Sequence, residues 1–103
     1  MKALESVLRE ELARLKEVGK GYEREIAKLP SGSLQSKRIK EKPYPYHVVS
    51  REGEVRYEYL GRLSSEELKQ LRDKIALRKK YKGLLKEVRL NQKQVARALR
   101  AKK

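Results

Sequence analysis

Between residues 4 and 29 apolar side chains fall at Leu8, Leu12, Leu15, Tyr22, Ile26 and Leu29, a 4-3-7-4-3 spacing. Steps of three and four keep side chains on one helix face, so the pattern predicts a long amphipathic helix over residues 1–29 with one step of its heptad seam skipped. The skipped step falls on Gly19, which with Gly21 brackets Lys20. A helical glycine costs about 1 kcal/mol relative to Ala, so this site marks either a kink or a close helix contact. Pro30 and the Ser31-Gly32-Ser33 run end the element.

Over residues 33–61 the period shifts to strict alternation: Tyr44, Tyr46 and Val48, then Val55, Tyr57 and Tyr59. Taking Glu52-Gly53 as a two-residue loop pairs Ser50 with Val55, Val48 with Tyr57 and Tyr46 with Tyr59 on one face. Val49 then meets Arg56, and His47 meets Glu58, on the other. A first strand near residues 34–40 completes a three-stranded antiparallel meander, because an isolated hairpin is marginal. Tyr44, Tyr46, Tyr57 and Tyr59 share a face with Val48 and Val55. With no Trp or Phe in the chain, they are expected to be its core, packed under the helices.

Ser64-Ser65-Glu66-Glu67 reads as a capping box, and residues 64–101 are expected to be helical. At ~100° per residue Leu68, Leu71 and Ile75 share one line, while Tyr81, Leu84, Leu85, Val88, Val95 and Leu99 share another, more than a quarter turn away. The region is therefore either kinked or split near residues 79–83, or one straight helix with two partners. The fold class is α+β, and 103 residues leave room for one domain, expected over 1–103. Two apolar seams on so short a chain predict self-association as a homodimer or higher oligomer.

Charge sharpens this picture. Lys and Arg number 28 against 14 acids, a net charge of +14. Residues 1–29 hold 7 basic and 6 acidic groups, residues 30–61 hold 6 and 4, and residues 62–103 hold 15 and 4. In the last segment Arg78, Lys79, Lys82, Lys86, Arg89, Lys93, Arg97 and Arg100 form a stripe nearly opposite the later apolar line. Arg78 to Arg100 covers roughly 33 Å, close to the ~34 Å turn of a DNA duplex. A merely solvated helix balances its cations with Glu at i,i+4, and this one does not. The stripe is thus the first candidate for phosphate contact. Lys37, Arg38 and Lys40 beside the hairpin tyrosines are a second, since a small sheet can enter a groove or stack bases.

Other chemistry is scarce. There is no Cys, His47 is the single histidine, and no acidic cluster offers metal ligands. The six glycines do not form a phosphate-cradling loop. His47 opposite Glu58 reads as a surface pair, and Ser31, Ser33 and Ser36 lack a partner base. The expectation is no enzyme, no catalytic residue, no cofactor, no metal and no small-molecule substrate. The stretch MKALESVLREEL is too charged for a signal peptide, and no uncharged run approaches the ~18 residues of a membrane span, so a soluble intracellular protein without a membrane partner is expected. Acids that are nearly all Glu, with a single Asn and no Thr, suit a heat-loving source.

The segment from Tyr22 through Leu71 resembles a family of short, basic, largely uncharacterised prokaryotic and mobile-element proteins. The resemblance rests on Leu-Pro-x-Gly-Ser-Leu at residues 29–34, Tyr44-x-Tyr46, Arg51-Glu52-Gly53 and Tyr59-Leu60-Gly61-x-Leu63-Ser64. The hairpin is also similar, more distantly, to the N-terminal region of some insertion-sequence transposases. Membership would imply association with DNA in a mobile-element or viral setting, and it supplies no active residues to carry over. The chain departs from the pattern at Pro43 and Pro45, which imply an unpaired edge there, and at Glu41, where a turn glycine would be natural.

The reading is therefore a protein that binds double-stranded nucleic acid, DNA foremost with RNA as the alternative, largely without sequence preference. It would act as an architectural or nucleocapsid-like dimer in the cytoplasm or nucleoid, or packaged in a virion. The rivals are a sequence-specific regulator of a mobile element and a protein-interaction module docking through the heptad seam.

Overall fold

The computed structural model describes residues 2–101; Met1, with which the expected first helix begins, and Lys102 and Lys103 lie outside the described residues. The order is helix α1 (Lys2–Lys28), strands β1 (Ser33–Ile39), β2 (Lys42–Arg51) and β3 (Glu54–Tyr59), and helix α2 (Ser65–Ala101). This is the α+β arrangement the sequence predicts. By compactness the chain divides into two units. One holds α1 with the part of α2 from Lys79 onward, and the other holds residues 29–78.

In the helical unit both helices are continuous. Ring centroids of Tyr22 and Tyr81 lie 5.7 Å apart. Gly19 sits against Leu85 and Val88, and the Gln92 side-chain amide donates to the Leu15 carbonyl at 3.2 Å. Positions fall along α1 as they rise along α2, so the pair is antiparallel. A Cβ at Gly19 would lie 3.4 Å from Gln92 Nε2 and 3.6 Å from Val88 Cγ1, so anything beyond a methyl would push the helices apart. The skipped seam step is thus a close contact, and α1 runs unbroken through it. Leu15, Gly19, Leu85 and Val88 are buried, and Leu8, Leu12, Val95 and Leu99 are half-buried. The two apolar seams pack against each other within one chain, where two exposed seams were expected.

In the other unit the capping box forms as predicted: the Ser64 N–H donates to Glu67 Oε1 and the Glu67 N–H to Ser64 Oγ, both at 3.1 Å. The sheet order is β1-β2-β3, antiparallel throughout, with Val48 opposite Tyr57, Tyr46 opposite Tyr59 and His47 opposite Glu58, the register expected. β2 is the central strand, yet the Pro43 and Pro45 expectation holds locally. The Pro45 carbonyl accepts from the Leu60 N–H at 2.9 Å, just past the end of β3, so by the two-residue period both prolines turn their missing N–H beyond the β3 ladder.

The assignment of faces is corrected. Val55, Tyr57 and Tyr59 are 55%, 51% and 47% exposed, so the tyrosine face looks outward. The helix-covered face carries Leu34, Pro43 and Pro45, which with Leu68 and Arg72 of α2 line a cleft of about 400 Å³. His47 is more than a surface partner of Glu58. Its Nε2 lies 2.7 Å from the Ser31 carbonyl, an acceptor only, so Nε2 carries the hydrogen and ties the α1–β1 connection to β2.

Three connections carry left-handed backbone: at Gly32, at Lys40-Glu41 and at Glu52-Gly53. Gly32, at φ 90°, has no room for a side chain, since a Cβ would overlap the Val48 carbonyl oxygen. Lys40 and Glu41, at φ 51° and 68°, form the β1–β2 turn without glycine, in the conformation that favours Asn-Gly.

Gly32→Ala is expected to destabilise the sheet unit by about 3 kcal/mol, since left-handed strain and backbone overlap act together. Urea unfolding followed by circular dichroism measures this, and an unchanged midpoint would refute it. Glu41→Gly should do the opposite, adding about 1 kcal/mol by relieving left-handed strain. A rise of roughly 4–8 °C in melting temperature is the corresponding signal.

Candidate nucleic-acid interface

Residues 79–101 carry eight basic side chains and one acid, Glu87. The helix that positions them is fixed by its apolar line against α1. At ~100° per residue Lys79, Lys82, Lys86, Lys93, Arg97 and Arg100 centre about 140° from that line. All six are exposed. They run over roughly 32 Å of helix.

Two members of the predicted stripe sit differently. Arg89, about 90° from the apolar line, reaches across to Glu23 of α1, with Nη2 to Oε1 at 2.8 Å. Arg78 is half-buried and already engaged within the chain. Both lie on the flank of the helix nearer its packed side, so the outward basic line of the helix is six residues.

The contrast with α1 is electrostatic. There, Glu11–Arg14, Glu17–Lys20 and Glu25–Lys28 form exposed i,i+3 pairs at 2.5, 3.6 and 3.5 Å. The hydrogen bond from Arg14 holds the Glu11 carboxyl below the ordinary carboxylate range. Such pairs contribute little to stability, but they cancel the local field. Along α2 from Lys79 the field is uncancelled apart from Glu87 and the Glu23 partner of Arg89.

The three sheet residues flagged by sequence do not converge. Lys37 shares the tyrosine face, with Nζ 4.2 Å from the ring centroid of Tyr57 and 5.2 Å from that of Tyr46. Arg38, paired with Pro43, belongs to the opposite face, and Lys40 lies in the turn. These residues belong to the other compact unit from Lys79–Arg100.

What the sequence reading assigned to the core is an aromatic surface, with Tyr57 and Tyr59 about half exposed. Tyr44 and Tyr59 are 6.1 Å apart, Tyr46 and Tyr59 5.5 Å, and Tyr46 and Tyr57 6.5 Å between centroids. The ring of Tyr59 folds back over Gly61, where a Cβ would overlap it. β1 gives no clear signal for the face: Leu34, partner of His47, falls opposite the tyrosines, while Ile39, partner of Lys42, falls with them.

Among the described residues no group of three His, Cys, Asp or Glu is placed to hold a metal, and no helix is long and apolar enough to cross a membrane. No protein-family model, no curated protein and no solved structure matches this chain.

Proposed function

We propose that the protein binds double-stranded nucleic acid largely without sequence preference, through Lys79, Lys82, Lys86, Lys93, Arg97 and Arg100 of α2. The observation that carries this reading is the run of eight cations against one acid over residues 79–101, beside an α1 whose charges are nearly balanced. Flexible cations along one line of a helix suit phosphate contact, which is insensitive to sequence, better than base-edge readout. Binding gains its free energy by releasing counterions condensed on the duplex. The geometry requires only one copy of the chain.

Fluorescence anisotropy on two unrelated duplexes, titrated from low to high salt, tests the reading. Six neutralised phosphates give a log-log slope near −5. Replacing Lys86, Lys93, Arg97 and Arg100 with Gln should flatten the slope to about −2. Arg89→Gln should leave it nearly unchanged, because Arg89 is held by Glu23. A salt-independent affinity, or a strong preference for one of the two sequences, would overturn the proposal.

A further inference from the structure

We infer that the outward tyrosine face of the sheet is a second site, which binds single-stranded nucleic acid by stacking bases on Tyr57 and Tyr59 while Lys37 contacts the backbone. Tyr44, Tyr46, Tyr57 and Tyr59 form one continuous patch, with successive centroids 5.5–6.5 Å apart. Tyr57 and Tyr59 are about half exposed, and the apolar Val55 and Ile39, at 55% and 49%, extend the patch. A contiguous aromatic surface of this kind marks a binding face.

Charge selects the occupant. The Lys37 ammonium sits over the rings of Tyr46 and Tyr57, and residues 29–78 hold 11 basic and 7 acidic side chains. A second copy of the sheet would bring one Lys37 against another, whereas a polyanion complements both. Among polyanions a duplex hides its base faces, and a single strand presents them to aromatic rings. The exposed cation–π contact of Lys37 is weak, so the ammonium exchanges readily onto a phosphate as a base takes its place on the ring. This site shares no residue with the α2 stripe and does not rest on it.

The chain has six tyrosines and no Trp, and four of the six lie on this face, so intrinsic emission reports on it directly. The full chain is titrated with oligo-dT and oligo-U of about 12 nucleotides, a length within the range one small sheet domain covers, and with a duplex of the same length. Quenching by the single strands is expected, and the two arms show whether DNA or RNA is preferred. Tyr57→Leu keeps apolar bulk without an aromatic ring and should weaken single-strand binding roughly tenfold, with duplex affinity unchanged. Tyr57→Phe should retain the affinity, and melting curves confirm that both variants fold. The Gln variant of α2 should bind duplex more weakly, with a flatter salt slope, and keep the single-strand quench. Two outcomes would overturn the inference while leaving the α2 reading standing: single-strand affinity unaffected by Tyr57→Leu, or a concentration-dependent dimer in sedimentation that Tyr57→Leu abolishes.

Discussion

A continuous helix of 37 residues has to satisfy two compact units, and its apolar residues do not keep one line along its length. Leu68, Leu71 and Ile75 point one way; Tyr81, Leu85 and Val88 point more than a quarter turn away. Once the second set is packed against α1, the line begun by Leu68, Leu71 and Ile75 has no apolar successor in the later half of the helix. At ~100° per residue that same line continues through Lys82, Lys86, Lys93 and Arg100. The helix changes the chemistry of one side near residue 78, where the two units divide. This phase shift is the constraint from which the candidate interface follows.

The close approach at Gly19 serves the same end. Because a glycine stands where the seam should carry a large side chain, the backbone of α1 comes close enough for Gln92 to reach the Leu15 carbonyl. The interhelix surface is then closed with modest side chains, and charge is kept to the outside. On α1 the outside charges neutralise one another in i,i+3 pairs. On α2 they sum, and a line of like charges that the fold does not cancel raises the local potential toward a polyanion.

In the sheet unit two motif glycines have structural reasons. Gly32 takes a left-handed conformation under the Val48 carbonyl, beside the His47–Ser31 bond that anchors the strand entry. Gly61 leaves space for the ring of Tyr59. Both hold the sheet in a form where the small residues and prolines of β1 and β2 meet the helix and the tyrosines stay outside. A tyrosine face can remain in water because each ring carries a hydroxyl and its neighbours shield part of its area.

Local and pairwise signals decided most of the fold. Heptad spacing gave α1 its buried line, the Glu52-Gly53 loop fixed the β2–β3 register, and Ser64 with Glu67 set the start of α2, because each depends on residues only a few positions apart. The uneven charge of residues 79–101 is likewise a property of the chain. Sequence could not say which face of the meander is covered, since alternation defines two faces and both hold apolar groups; that was settled by Leu34, Pro43 and Pro45 meeting α2. Nor could it separate Arg89 from its neighbours in the stripe, because the Glu23 that holds it lies 66 residues away in the chain. Periodicity names the residues that share a side; only tertiary packing, which brings distant segments into contact, decides whether that side meets another element or stays open.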